Sequence, residues 1–373
     1  MEPAPAHPPD LFDQPGIAPI REILLDPEVT EIMINGQQQI YVERRGKMEL
    51  WPHKFANARA LEFLIESLLR PSNRSVDVSK PFVDFRLPDG SRVNVIIPPI
   101  AIDGATITIR KFTQTLGTMA DLMKIGTISE RMARLLYVAI LGRLNILFCG
   151  ATGTGKTTTL NILSRYIPDH ERIITIEDTA ELDLQKPHVV RLECRPPNIE
   201  GSGRVTLADL LRNSLRMRPT RIIVGEIRGD EAIEMLAAIS SGHEGCLAVL
   251  HSSSPRDAMA RLEMMVLSRG LAMPLWAIHK QIAGAVDLVV QHELLIDGSR
   301  KVTSICEVAD SDDQQVELRE LFGFQSESVD SDGKVIGKWV CSGVEPHFLV
   351  KLDKRNVELP KGLFKQGNEG AEV

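Results

Sequence analysis

The sequence predicts an α/β protein of two domains: an N-terminal α+β domain, a linker, and a larger domain whose strands and helices alternate. Three observations predict it. The glycine-rich loop Gly150-Ala151-Thr152-Gly153-Thr154-Gly155-Lys156-Thr157 lies between an apolar run, 144–149, and a stretch that reads as the first turns of a helix. From Leu144 onward strand-like and helix-like stretches alternate, which implies a sheet with helices on both faces. Before about residue 112 the pattern is one helix among short alternating strands. At 373 residues the chain is long for one domain, so two are expected.

Residues 1–19 carry six prolines and few apolar residues, and are expected to be a disordered leader. The N-terminal domain is placed at 20–112. Residues 20–25 read as a helical turn, and 29–36 with 39–43 as a hairpin closed near Asn35-Gly36. Helical spacing over 56–69 puts Leu61, Leu64, Ile65, Leu68 and Leu69 on one face, and Pro71 ends the helix. Strand-like pieces follow at 82–87, 92–97 and 105–110. Residues 113–126, polar at the edges, are the expected linker, and 127–373 the second domain. It opens with a helix over 129–141, capped by Ser129. Strands are then expected at 144–149, 172–176, 189–193, 221–225 and 246–250. Helices are expected at about 156–166, 206–217, 230–241, 255–269 and 274–284. Residues 286–295 and 301–308 read as a hairpin around Asp297-Gly298. The acidic stretch 310–332 reads as a solvated loop, 335–340 and 348–352 as further strands, and the last dozen residues as fraying.

Apolar content of 43% and charged content of 25% are those of a soluble globular protein. A net charge of −7 argues against a nucleic-acid binder driven by bulk charge, so no direct nucleic-acid partner is expected. The five cysteines stand far apart with no C-x-x-C pair, which excludes a zinc framework. The Pro-rich, acidic N-terminus has no signal-peptide pattern, and no apolar run reaches bilayer-spanning length. Membrane association is therefore expected through partners or a surface patch.

The loop fits G-x-x-x-x-G-K-[ST] in the strand–loop–helix context that the pattern requires. Gly150, Gly153 and Gly155 let the backbone bend so that N–H groups point inward, and Thr152, Thr154 and Thr158 are expected to bind the nucleotide with them. With the positive end of the helix, they form a cradle for phosphate. Lys156 would reach the β- and γ-phosphates of ATP, and Thr157 would hold Mg²⁺. Hydrolysis needs more: an acid for the metal, a group to orient or deprotonate water, and positive charge for the transition state. The apolar strand 221–224 runs into Gly225-Glu226, so Glu226 emerges where a second nucleotide motif needs a carboxylate, and is expected to hold Mg²⁺. Just past another strand, Glu177 is the expected base or water-positioner, with Asp178 supporting Mg²⁺ or the loop geometry. Glu181, in the same cluster, also reads as an ordinary acidic helix start. His243 and His251 bracket one strand, and either imidazole could sense the γ-phosphate. Arg92 and Arg110 lie on neighbouring expected strands, and read equally as exposed strand arginines or as counter-charges for a transition state.

The ordered set G-A-T-G-T-G-K-T, I-T-I-E-D-T-A-E-L, R-P-T-R-I-I-V-G-E-I-R and S-G-H-E-G-C-L-A-V-L-H-S resembles the secretion ATPase superfamily of type II and type IV secretion and type IV pili. There the four stretches are called Walker A, Asp box, Walker B and His box. The resemblance covers roughly 20–310. Within the superfamily the chain most resembles the CpaF/TadA group of Tad-type pili. It does so through V-T-E-I-M-I-N-G, F-V-D-F-R-L-P-D-G-S-R-V-N, T-I-T-I-R-K-F, D-G-S-R-K-V-T-S-I-C-E-V and a tail ending S-G-V-E-P. The resemblance implies a PAS-like N-terminal domain, a RecA-like ATPase domain with C-terminal β-hairpins, and a homohexameric ring. It implies ATP and Mg²⁺ as ligands, Arg92 and Arg110 as arginine fingers, and His251 in the His box. Motion would pass to an inner-membrane platform. The chain departs from extension-type relatives in lacking a four-cysteine zinc element, and has Thr179 where many members have proline. A DNA-transfer ATPase on the same core is the competing expectation.

Overall fold

The computed structural model describes residues 15–44, 46–72, 74–111, 117–197, 202–270, 273–310 and 315–370. The chain divides into two units, Met1–Thr115 and Leu116–Val373.

The first unit opens with a 3-10 helix, Pro15–Ile20, followed by α1 (Arg21–Leu25). The expected leader, 1–19, therefore gives way to regular structure at Pro15. Ile17 and Ile20, one 3-10 turn apart, share a face and are fully buried. Residues 1–14 lie outside the described residues. The strands β1 (Val29–Asn35), β2 (Gln39–Arg44) and β3 (Lys47–Leu50) precede α2 (Ala58–Leu69). Then come β4 (Phe82–Arg86), β5 (Arg92–Ile96) and β6 (Thr106–Arg110). They form an antiparallel sheet in the order β3-β2-β1-β6-β5-β4. Alternation puts Ile32, Ile34, Val93, Val95, Ile107 and Ile109 on the covered face, where all are fully buried. The apolar face of α2 closes over them with Leu61, Leu64, Ile65 and Leu68, and the Asn57 side chain caps it by accepting from Ala60 N at 2.9 Å.

The second unit begins with α3 (Met119–Lys124) and α4 (Glu130–Leu141). The expected linker, 113–126, thus contains a helix. Thr118 and Asp121 cap it reciprocally, a short signal that its polar edges conceal. The part of that linker at 113–116 lies outside the described residues. The core alternates β7 (Ile146–Gly150), α5 (Lys156–Ser164), β8 (Ile173–Glu177), β9 (Val189–Glu193), α6 (Leu207–Ser214), β10 (Arg221–Ile227), α7 (Glu231–Ser240), β11 (Leu247–Leu250), α8 (Pro255–Ser268), α9 (Leu275–Ala285) and β12 (Leu288–Leu294). The C-terminal extension is β13 (Arg300–Asp310), β14 (Val316–Val329), β15 (Val335–Cys341), α10 (Leu349–Lys354) and β16 (Gly367–Gly370). One sheet carries all ten strands in the order β9-β8-β10-β11-β7-β12-β13-β14-β15-β16, parallel as far as β12 and antiparallel beyond. Both faces of the parallel part are covered. Ile146 and Phe148 face one apolar cluster, with α4 and α5, and Leu147 and Cys149 face the other, with α6 to α9.

Three expectations in the extension are corrected. The stretch 310–332 is not a solvated loop: 316–329 is a strand held between β13 and β15, with Leu321 and Phe322 buried. Its charges misled because they pair across the sheet, as Arg319 does with Glu307 at 3.0 Å. Residues 349–354 are helical where a strand was expected. Residues 367–370 pair with β15 instead of fraying. Among the described residues no helix is long and apolar enough to cross a membrane.

This topology aligns the C-terminal ends of β7, β8, β10 and β11 along one edge of the sheet. Each of those strands is followed there by a segment that the sequence marks chemically.

Candidate nucleotide site

At the end of β7 the loop turns through three glycines with positive φ: Gly150 at 144°, Gly153 at 77° and Gly155 at 94°. Gly150 is the constrained one. A Cβ there would lie 2.3 Å from the carbonyl oxygen of His292 on β12. The strand can leave the sheet at this point only as glycine. Lys156, the first residue of α5, is buried and folds back over the loop. Its Nζ donates to Gly150 O at 2.9 Å and Ala151 O at 2.6 Å. Thr154 closes the turn by donating to Ala151 O at 2.8 Å. Thr152 is exposed, and Thr157 and Thr158 are half-buried at the open end. A lysine and a helix N-terminus at a glycine cradle fit a polyphosphate, with Thr157 as a hydroxyl ligand for its Mg²⁺.

β11 lies between β7 and β10, so the residue that leaves β11 sits between the loop and whatever leaves β10. Those residues are His251 and Glu226, and the structure brings them together: His251 Nε2 is 3.1 Å from Glu226 Oε1. A bulge aims the glutamate. Val224 pairs with Ala248 and Ile227 with Leu250, so β10 holds one residue more than β11 over this interval. Arg228 then grips the carboxylate through two donors, Nε at 2.6 Å and an Nη at 2.7 Å. Burial acts to raise the Glu226 pKa. The Arg228 hydrogen bonds and charge, with that of Lys156, outweigh burial and hold it below the ordinary glutamate value. Burial and Lys156 lower the pKa of His251, so near pH 7 the imidazole is neutral and donates a hydrogen bond to Glu226.

Glu177 ends β8 with 2% of its surface exposed. Its Oε2 accepts from the backbone N–H groups of Glu181 at 2.6 Å and Leu182 at 2.8 Å, whereas Oε1 is buried with no partner. Room for the side chain comes from Gly225, where a Cβ would stand 2.7 Å from Glu177 Cγ. The glycine before the Glu226 carboxylate thus admits the second one. Burial raises the pKa of Glu177 despite its two N–H donors, so two neighbouring acids are driven in opposite directions. Asp178 is exposed and lies 3.8 Å from Arg228, on the guanidinium that also grips Glu226. Among the described residues no three His, Cys, Asp or Glu side chains cluster as a metal site. A phosphate-bound Mg²⁺ needs only one or two protein ligands, which Thr157 and Glu226 can supply.

His243 belongs elsewhere. It precedes the N-terminal end of β11, on the sheet edge opposite the loop, and its Nδ1 lies 3.3 Å from Ala238 O. Parallel pairing of β7 with β11 is what separates it from His251. Arg92 and Arg110, in the first unit, pair directly across β5 and β6, and Arg86 pairs with Arg92 across β4 and β5. Three arginines therefore stand in one row, ended by Glu31, which Arg110 meets at 3.0 Å. Like charges placed opposite destabilise a sheet, a cost that the Arg110–Glu31 pair offsets at one end of the row. Arg86 Nε and one Nη are buried with no hydrogen-bond partner. Sequence reading missed Arg86 as a member of this row, because only strand register reveals it. Arg228, the last residue of the stretch R-P-T-R-I-I-V-G-E-I-R, was given no role of its own. The i, i+2 spacing from Glu226 on an extended chain was the available signal.

His292, opposite Gly150 in the β7–β12 register, was missed as well. It is fully buried, and neither ring nitrogen has a hydrogen-bond partner. Burial, with Lys156 nearby, pushes its pKa down to about 3. The folded state then refuses a proton that the unfolded chain takes up below about pH 6.5, so stability is intact above that value and lost as pH falls toward 3. The expected result is that acidification from pH 7.5 to 5 costs the wild type about 2 kcal/mol more than His292→Phe. Urea unfolding at both pH values measures the difference.

The model of the family described as type II/IV secretion system protein matches residues 13–336. Protein VirB11 of Agrobacterium fabrum is 32% identical over 304 residues, covering 74% of this chain and 87% of its own length. Conjugal transfer protein TrbB of Rhizobium radiobacter is 32% identical over 280 residues, covering 74% and 82%. Among solved structures, the ATPase DotB of Yersinia pseudotuberculosis superposes with a TM-score of 0.57 at 19% identity, over 83% of each chain, which supports the fold. The chain belongs to the type II/IV secretion system protein family.

Proposed function

We propose that this chain hydrolyses ATP to ADP and phosphate, and that as a homohexamer it drives a secretion or pilus machine from the cytoplasmic face of the inner membrane. The observation that carries the reading is the convergence of the Lys156 loop, Glu226–His251 and buried Glu177 on one sheet edge of a family member. The loop amides of 150–158 and Lys156 bind and orient the triphosphate. Mg²⁺, held by Thr157 and Glu226 with Asp178 supporting, would neutralise phosphate charge when bound. Glu226 stays ionised for that task. Glu177, raised by burial, presents Oε1 to a water and takes its proton, while its other oxygen stays pinned by two N–H groups. His251 fixes Glu226 against the loop and reports its displacement. The domains at 20–112 and 127–373, with the linker at 113–126, are the moving parts, and Arg92 and Arg110 supply counter-charge to the transition state.

Arg110 must leave Glu31 to do so, which is inexpensive: an exposed ion pair contributes about 1 kcal/mol or less. Arg110→Ala is therefore expected to lower turnover at saturating ATP by about 10³-fold, with nucleotide affinity within about threefold of wild type. Steady-state hydrolysis and equilibrium binding of a fluorescent ATP analogue separate the two effects.

The finer assignment, to the CpaF/TadA group and Tad pilus assembly with platform proteins as partners, rests on the N-terminal and tail stretches quoted above. A second reading, DNA-transfer ATPase, is favoured by the similarity to TrbB. Hydrolysis measured at moderate salt with and without DNA distinguishes them: stimulation selects the second reading, and none keeps the first. The ring itself is tested by mass measurement with a non-hydrolysable ATP analogue. Six chains are expected, and a strict monomer at working concentration contradicts the motor.

A further inference from the structure

We propose that Arg300 is a positioning residue for the phosphate loop, acting from the β12–β13 hairpin on the outer side of the nucleotide cradle. The inference rests on the nucleotide-binding reading above and assigns a role to a residue that reading leaves unused.

Arg300 Nε donates to the carbonyl oxygen of Gly153 at 2.7 Å, across 147 residues of sequence. Its Cδ lies where a Cβ on Gly155 would come within 3.7 Å, so the side chain runs along two glycines of the loop. A loop that turns its N–H groups toward phosphate turns carbonyls the other way, and Gly153 O is one of these. That carbonyl belongs to the same peptide group as the N–H of Thr154. A guanidinium on the oxygen holds the peptide's orientation and polarises it, which strengthens the N–H as a donor to an anion.

The hairpin is built to hold this contact. Leu294 pairs with Arg300 and Glu293 with Lys301, so the arginine stands at the first paired position of β13. The next two residues anchor the strand. Lys301 Nζ donates to Gly126 O at 2.8 Å and lies over the rings of Phe324 and Trp339, 5.1 and 5.2 Å from their centroids. Val302 N donates to Thr127 O at 2.8 Å. Successive side chains of a strand point to opposite faces, so one anchored segment presents Arg300 to the loop on one side and grips the turn at 126–127 on the other. The β extension thereby sets the shape of the phosphate cradle without entering it.

The test compares Arg300→Ala with Arg300→Gln in the full chain. Glutamine carries a nitrogen donor on Cδ at the same place as arginine Nε, without the charge. Equilibrium binding of a fluorescent ADP analogue and ATP turnover at saturating substrate are the readouts, with thermal melting confirming that both variants fold. The expected result is about tenfold weaker binding in Arg300→Ala, turnover of bound ATP within twofold of wild type, and recovery of most of the affinity in Arg300→Gln. Unchanged affinity in Arg300→Ala overturns the proposal. So does a loss of saturated turnover in both variants, which would make Arg300 a group that touches the nucleotide. Wild type that binds no ADP analogue would overturn the nucleotide reading itself, an outcome distinct from either.

Discussion

Lys156→Ala is expected to reduce ATP turnover to background and to weaken nucleotide binding by about 10- to 150-fold. The binding loss corresponds to the roughly 1.5–3 kcal/mol carried by a hydrogen bond to a charged group. Turnover falls further, by at least about 10³-fold, because the ammonium also meets the charge that grows on the phosphate oxygens in the transition state. The same substitution leaves the fold in place. The Lys156 ammonium donates to two carbonyls of its own loop, Gly150 and Ala151, and in the alanine variant Arg228 keeps its grip on the Glu226 carboxylate. Thermal melting within a few degrees of wild type, beside lost turnover, is the expected pair of results. Turnover near the wild-type rate would separate this loop from the chemistry.

Glu226→Ala is expected to cut turnover by about 10³-fold or more while nucleotide still binds. Three partners lose their anchor at once. Arg228 is left with Asp178 at 3.8 Å, His251 loses its acceptor, and Mg²⁺ loses the carboxylate proposed to hold it. Glu226→Gln separates these roles. It keeps an oxygen acceptor for Arg228 and His251 but carries no charge for the metal. Equal loss in both variants assigns the effect to charge, and recovery in glutamine assigns it to positioning of Arg228 and His251. Turnover measured across Mg²⁺ concentrations reads the difference directly, since a lost metal ligand raises the concentration required.

The parts of this site that were legible in the sequence are those whose geometry is local. A glycine loop between a buried strand and a helix carries its own turns, so Gly150 to Thr157 could be assigned before any fold was known. Glu226, Glu177 and His251 were legible because parallel strands deliver their last residues to one edge, and each follows an apolar run. What the sequence concealed depends on register or on distant contacts. The row Arg86–Arg92–Arg110 exists only once β4, β5 and β6 are paired, and His292 meets Gly150 only through β7–β12 pairing. Gly225 looked like part of a motif, whereas its missing side chain is the space that Glu177 occupies. His243 was over-read because it brackets one strand with His251, and strand direction puts the two histidines at opposite edges of the sheet. The strand at 316–329 was hidden by charges that answer one another across the sheet.

The most direct measurement is phosphate release from ATP by the 373-residue chain, with and without Mg²⁺. Release that requires Mg²⁺ and disappears in Lys156→Ala is the expected result. No release under either condition, or release that proceeds equally without Mg²⁺ or in Lys156→Ala, would contradict the assignment of this sheet edge as a site of ATP hydrolysis.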